Sequence, residues 1–166
     1  MNPQNALLGA SILATGLMSG LWYGWAVSVI PGTRRVPDGT YITTMQSINR
    51  AIINPAFVVP FIGIPVLLVG ASVVQFRAGD SRRGWLLAGA TATYVLGVLG
   101  VTVGGNVPLN NALDAFDLAE ADQRDAGTRR RTYERPWNRW HYLRTVGNMG
   151  SFALVSAAAI VAAAEE

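Results

Sequence analysis

The chain has 166 residues, which suits one domain, and only 14% of them are charged, against about a quarter in an average soluble domain. It contains no cysteine and one histidine, His141. This content excludes disulfides, cysteine nucleophiles and metal or haem sites that need thiolates or several imidazoles from one chain. The net charge of +3 comes without a basic aromatic stripe, so nucleic acid is not an expected partner.

Four stretches with charges only near their ends are long enough to cross a bilayer, for which about 20 apolar residues suffice. They predict membrane spans at approximately 6–30, 53–76, 84–104 and 141–164. We therefore predict a single domain over 1–166 with an all-α fold. The expected architecture is a four-transmembrane-helix bundle in a lipid bilayer, with short extra helices in the two long loops.

The first span carries Gly16, Gly20 and Gly24 at every fourth position, which forms one smooth helix face. Small residues let helix backbones approach closely in a membrane, where lipid offers no hydrophobic drive for packing. The face is explained by helix packing within the chain, and it is also a surface through which a homo-oligomer can form.

Arginine counts predict the orientation, because cytoplasmic loops carry an excess of basic residues. All thirteen basic residues are arginines, and eight of them lie in the 31–54 and 105–138 connections. The short connection on the opposite side holds only Arg77, Arg82 and Arg83. We therefore expect an integral protein of the cell membrane with both long loops in the cytoplasm.

Polar residues near a membrane are candidates for function, and here they gather in three segments on the side of the long loops. The first segment runs from Met45 to Pro55 and contains Asn49, Arg50 and Asn54. Its turn signals predict a short helix that leads into the second span.

The last segment begins at Pro136 and leads into the fourth span. Its helical spacing puts four side chains on one face, namely Trp137, Trp140, His141 and Arg144. An aromatic belt at the headgroups is the alternative interpretation of this segment.

The middle segment reaches Gly104-Gly105-Asn106 and then Pro108, which predicts a broken or redirected helix. Asn106 and Asn110 share a face if the helix resumes after the proline. Beyond them, the acidic residues between 114 and 125 alternate with apolar ones, which predicts a solvated helix face.

The three segments together resemble the anthrone oxygenase family over essentially the whole chain. The resemblance follows a glycine-rich first span and rests on three patterns: Met45-Gln46-x-x-Asn49-Arg50-x-x-x-Asn54-Pro55, Thr102-x-x-x-Asn106-Val107-Pro108-Leu109-Asn110-x-x-Leu113 and Trp137-x-x-Trp140-x-x-x-Arg144-Thr145. It implies an enzyme that converts an anthrone, an aromatic polyketide, to an anthraquinone with molecular oxygen and no cofactor.

The residues agree with such a cofactor-independent oxygenase. No GxGxxG fingerprint marks a dinucleotide site, and no carboxylate is embedded in a predicted span. His141 is the one side chain whose ordinary pKa suits a general base near neutrality. We expect Asn49, Asn106 and Asn110 to donate hydrogen bonds to an oxyanion, and Arg144 to add charge. Substrate binding is assigned to Trp22, Trp25, Arg50, Asn54, Tyr94, Trp137 and Trp140, and no metal site is expected.

A non-enzymatic membrane protein, such as a small subunit, scaffold or carrier, is the alternative function. It shares the predicted fold and explains the glycine face and the arginines at the span ends. It gives no reason for three asparagine-bearing segments on one side of the bundle.

Overall fold

The computed structural model describes residues 3–163, with the side chains of residues 4–161, and it is helical with no strand over that range. Helix α1 (Pro3–Gly24) continues through a π-helical turn (Trp25–Val29) into α2 (Ile30–Thr33). Helix α3 (Asp38–Ala51) follows, then α4 (Pro55–Arg77) and α5 (Ser81–Tyr94). Two π-helical turns, Val95–Gly100 and Thr102–Asn106, join α5 to α6 (Val107–Asp114), and α7 (Gln123–Ala163) ends the described chain.

Four continuous helical segments are long and apolar enough to span a membrane, which confirms the predicted architecture. They cover Gln4–Thr33, Pro55–Arg77, Ser81–Asp114 and Gln123–Val161. The third and fourth segments extend well beyond the predicted spans, toward the end of the bundle that carries the two long connections. We call this end the loop side. The predicted extra helix of the first connection is α3, whereas the extra helical residues of the second belong to α6 and the start of α7.

The predicted helix break before Pro108 is wrong, because a π-helical turn accommodates the proline. The amide of Val107 donates to the carbonyl of Thr102, five residues back, rather than four. The wider turn makes room for a ring that would otherwise clash with the preceding turn. Pro31 is handled in the same way, since the amide of Ile30 donates to the carbonyl of Trp25. Such π-helical turns frequently occur at functional sites.

The predicted acidic helix face over 114–125 is also wrong, since residues 115–122 form an irregular loop. Within it, the Asp117 carboxylate accepts from the amide of Ala119 at 2.8 Å. The Asp122 carboxylate accepts from the amide of Asp125 at 2.8 Å. The Asp117 bond is a local alternative to helix formation, whereas the Asp122 bond to the third residue of α7 caps the start of that helix.

The four spans pack in a ring in which α1 contacts α4 and α7, and α5 contacts the same two helices. The closest approach joins the third span to the fourth, where a Cβ added to Gly147 would lie 2.9 Å from the Gly97 carbonyl oxygen. Polar side chains also link the helices. The Asn148 amide donates to the Thr15 carbonyl at 3.1 Å, and the Ser151 hydroxyl donates to the Ala90 carbonyl at 2.9 Å.

The glycine face of α1 is used only in part within the chain. A Cβ added to Gly16 would lie 3.3 Å from the Phe152 ring of α7, whereas one added to Gly20 or Gly24 would meet no atom within 4 Å. Packing against α7 therefore accounts for Gly16. A homo-oligomer through this face stays a prediction.

Arg130 ties the loop-side extension of α7 to the link between α2 and α3. Its guanidinium donates to the Val36 carbonyl at 2.7 Å and to the Asp38 carboxylate at 3.0 Å, and it lies 4.5 Å from the centroid of the Tyr41 ring. Burial raises the pKa of Tyr41 well above its ordinary value, so this phenol stays neutral. These contacts hold α3 against α7 and fix the loop-side wall of the bundle.

Candidate active site

A cavity of about 300 Å³ lies at the loop side of the bundle, where all four spans contribute side chains. We call it the aromatic cavity. The largest part of its wall is apolar, and a few polar groups face it. Its lining residues are Leu21, Trp22, Trp25, Ile48, Asn49, Ile52, Ile53, Phe57, Val58, Phe61, Ile62, Thr102, Val107, Asn110, Trp137 and Arg144. All three sequence segments singled out above therefore reach one cavity.

The outer wall of the aromatic cavity is also part of the lipid-facing surface of the bundle. Ile53 is 76% exposed and Ile62 is 52% exposed, and both line the cavity. Val58 of α4 and Val107 of α6 also border it and are exposed. An apolar compound dissolved in the bilayer therefore meets this wall first.

Arg144 is buried in the aromatic cavity, with 6% of its surface exposed. Its guanidinium carbon lies 4.1 Å from the centroid of the Trp22 ring and 5.2 Å from that of Trp137. Guanidinium groups are stabilised by such aromatic faces. Among the described residues, no carboxylate lies within ion-pair distance of it. A buried cation therefore faces the cavity, and no anion of the described residues neutralises it.

His141 lies behind Arg144 and holds it. The Nε2 atom lies 3.1 Å from the Trp22 carbonyl oxygen, which can only accept, so Nε2 carries the proton. The Nδ1 atom then accepts from Arg144, whose NH2 lies 3.1 Å away. The imidazole is fully buried and stacks on Trp137 with 7° between the two rings. Because both nitrogens have partners and the ring is outside the cavity lining, this geometry favours a positioning role over the predicted role of general base.

Asn110 and Asn49 meet at the hydroxyl of Tyr133. The Asn110 carboxamide oxygen accepts from the Tyr133 hydroxyl at 3.0 Å and from Trp137 Nε1 at 2.7 Å. Its NH2 group has no partner within the described chain and so keeps two donors for a ligand. The Asn49 amide donates to the Tyr133 hydroxyl at 3.1 Å, which leaves its carboxamide oxygen as an acceptor.

Two further polar atoms of the lining are buried without a hydrogen-bond partner, Trp22 Nε1 and Thr102 Oγ1. The hydroxyls of Thr91, Thr93 and Thr145 donate to the carbonyl four residues back, as is usual in helices. The hydroxyl of Thr102, at the start of a π-helical turn, does not. A buried polar group without a partner costs free energy, so these atoms indicate a polar ligand.

Three predicted substrate-binding residues line the aromatic cavity, namely Trp22, Trp25 and Trp137, and Asn106 lies behind it. The Asn106 amide donates to the Trp137 carbonyl at 3.2 Å and so supports the wall. The Asn106 side chain is buried, and its carboxamide oxygen has no partner among the described residues.

Four other predicted substrate-binding residues lie outside the aromatic cavity, where each contacts other residues of the protein. The Tyr94 hydroxyl donates to the Phe61 carbonyl at 3.0 Å within the core. Trp140 is 39% exposed and covers Gly105, where an added Cβ would lie 2.5 Å from its ring. Arg50 pairs with Asp114 at 2.6 Å, and Asn54 caps the first turn of α4.

Sequence reasoning missed Phe57, Phe61, Thr102 and Tyr133 as parts of the site. Only Thr102 had a signal, because it opens the Thr-x-x-x-Asn pattern of the middle segment. The two phenylalanines belong to a uniformly apolar span, whose sequence does not show which helix face points to the interior of the bundle. Tyr133 lies in the charged part of α7, which predicts a solvated helix.

The chain was compared with curated proteins, solved structures and protein families. No curated protein and no solved structure matches the chain. Residues 51–163, well over half of the sequence, match the pattern of a family described as anthrone oxygenase. The matched range includes α4 to α7 and most of the residues that line the aromatic cavity. The chain therefore belongs to the anthrone oxygenase family.

Proposed function

We propose that this protein oxidises a fused-ring aromatic ketone of the anthrone type to the quinone with molecular oxygen and without a cofactor. The observation that carries the proposal is Arg144, a buried cation that faces an aromatic cavity and has no carboxylate partner among the described residues. Membership of the family supports an oxygenase-like role, and the cavity supports the substrate class.

The lining of the aromatic cavity suits a flat apolar substrate that carries oxygen atoms on one edge. Trp22, Phe57 and Phe61 offer aromatic surface, with the Phe57 and Phe61 rings stacked at 5.1 Å. A volume of about 300 Å³ is at the small end of the range for ligand pockets. The free donors belong to Arg144, Trp22 and Asn110. A ligand rich in hydrogen-bond acceptors would satisfy these donors.

Arg144 makes deprotonation of the substrate more favourable, because its positive charge stabilises the substrate anion. An isolated buried charge costs several kcal/mol, and a ligand anion offsets that cost. An opposite charge within about 4–6 Å lowers the pKa of an acid by about 1–3 units. Loss of a proton from the methylene carbon of an anthrone places negative charge on the ketone oxygen. Arg144 therefore stabilises the enolate and increases its population.

The enolate supplies the electrons that oxygen needs. Its carbon transfers one electron to O₂, and the radical pair combines to form a carbon–oxygen bond and a peroxide anion. This anion takes up a proton to give a hydroperoxide. Breaking of the O–O bond, with loss of the remaining hydrogen from the same carbon, releases water and leaves the second carbonyl. Anthrone and O₂ thus give quinone and water, because the proton taken up by the peroxide anion replaces the one first lost from the methylene carbon.

The side-chain content of the chain supports a reaction without a bound metal. The single histidine uses both ring nitrogens, and the chain has no cysteine. Residues 4–161 contain no group of three His, Cys, Asp or Glu side chains that could hold a metal ion. Activation of the substrate by a buried cation needs no such group.

Oxygen uptake by the purified protein in lipid nanodiscs tests the proposal. With an anthrone in air, we expect one O₂ consumed for each quinone formed, at a rate well above that of empty nanodiscs. Under argon, quinone formation should stop. Treatment with a chelator and gel filtration should leave the rate unchanged. Binding of the anthrone without turnover would overturn the proposal and favour the carrier function.

Substitution of Arg144 tests its role as the stabiliser of the anion. We expect Arg144→Gln to lower kcat by about 10²-fold or more, which is the usual cost of losing an oxyanion donor. Arg144→Lys keeps the charge but loses the planar fork, so an intermediate rate is expected. Arg131→Gln, an exposed position on the same helix, is the matched control and should keep the parental rate. Equal rates for Arg144→Gln and the control would contradict the assigned role.

The lipid-facing wall of the aromatic cavity predicts that substrate enters from the bilayer. A bulky side chain at Ile62 should narrow this route, so Ile62→Trp should raise KM severalfold in nanodiscs with a smaller change in kcat. Val66→Trp is the matched control, because Val66 is exposed one turn further along α4 and lies outside the cavity lining. Identical KM values for the two variants would contradict access through this wall.

A further inference from the structure

A second cleft opens on the loop side of the bundle, outside the aromatic cavity. Its volume is about 480 Å³, and it lies between the end of the first span and the start of the fourth. We call it the arginine cleft. Its lining residues are Arg34, Glu134, Arg135, Asn138, Arg139 and Tyr142. None of these residues lines the aromatic cavity.

The arginine cleft carries excess positive charge. Arg135 and Arg139 are exposed, and within the described part of the chain their guanidinium groups have no hydrogen-bond or ion-pair partner. The one carboxylate, that of Glu134, accepts from Arg130 at 2.8 Å and lies 4.0 Å from Arg34. Arg130 bonds both this carboxylate and that of Asp38. The four arginines of this region therefore outnumber its two carboxylates, and the excess positive charge favours an anion.

Asn138 gives the arginine cleft a polar group with no protein partner. The residue is 7% exposed, and its carboxamide makes no hydrogen bond within the described chain. The Asn138 side chain lines the cleft, so a ligand in the cleft can supply the missing partner.

The arginine cleft lies where the protein surface changes from charged to apolar. Tyr142, at its border, is partly exposed, and exposed tyrosines are enriched at membrane interfaces. Leu143, the next residue of α7, and Val146, one turn beyond Tyr142, are exposed, with Val146 at 68%. On the neighbouring span, the charge-free segment ends just before Arg34. The cleft therefore lies at the level of lipid headgroups.

We propose that the arginine cleft binds the phosphate of an anionic phospholipid. Guanidinium groups bind phosphate oxygens in pairs of hydrogen bonds, and basic pockets beside membrane spans recognise anionic headgroups. Arg135 and Arg139 would contact the phosphate from one side and Arg34 from the other. The Asn138 amide would donate a hydrogen bond to the phosphate, and the acyl chains would lie along Leu143 and Val146. This proposal does not depend on the oxygenase reaction.

Native mass spectrometry of the full chain tests the assignment. The protein is reconstituted in vesicles of equal parts phosphatidylglycerol and phosphatidylcholine, released in mild detergent, and its retained lipids are counted. We expect the parent protein to retain phosphatidylglycerol in clear preference to phosphatidylcholine. The double variant Arg135→Gln with Arg139→Gln should reduce this preference about tenfold or more. Asn138→Ala should reduce it as well, with helix content unchanged by circular dichroism.

The matched control is Arg124→Gln with Arg131→Gln, which removes the same charge from exposed positions of α7 further from the membrane. This control should keep the parental lipid preference. An equal loss in both double variants would show attraction by net charge alone and would overturn the proposal. Displacement of the lipid by millimolar glycerol phosphate would also overturn it, because that ligand lacks acyl chains.

Discussion

The burial of one arginine in an apolar cavity determines how the loop side of this bundle is built. A guanidinium cannot leave water cheaply, and here no carboxylate of the described residues offsets its charge. Trp22 and Trp137 lie against the guanidinium, and His141 accepts its hydrogen bond. The positive charge of Arg144 is left facing the aromatic cavity, where a ligand anion can neutralise it. Family membership supports an oxygenase-like role, and the cavity geometry supports the reaction proposed for it.

The supporting residues form a layer behind the cavity wall, and their bonds converge on Trp137. Its indole N–H donates to Asn110, its carbonyl accepts from Asn106, and its ring stacks on His141. Two successive turns of α7 thus orient Arg144 and leave the Asn110 NH2 group free for a ligand. Electrostatic catalysis depends on donors that are already oriented before the reaction begins, and this layer provides that orientation.

The sequence allowed the bundle and part of the site to be predicted. Charge-free spans dictate transmembrane helices, and the spacing of Trp137, His141 and Arg144 places them on one face. Sequence spacing could not show which of these side chains meets the cavity. Tertiary contacts decide that Arg144 reaches it, that His141 stands behind it, and that Tyr94 bonds to Phe61 in the core. The π-helical turns that precede Pro31 and Pro108 were equally beyond prediction, because their i→i−5 bonds depend on how the helices accommodate these prolines.

The ionisation of a bound hydroxyanthraquinone tests the central claim most directly. These compounds resemble the expected product, and their visible spectra change when a ring hydroxyl loses its proton. If Arg144 favours an anion in the aromatic cavity, the pKa of the bound hydroxyl should fall by about 1–3 units relative to the same compound in empty nanodiscs. Arg144→Gln should abolish the shift while the compound still binds. An unchanged or raised pKa in the parent protein would contradict the account, because the cavity would then favour the neutral ligand.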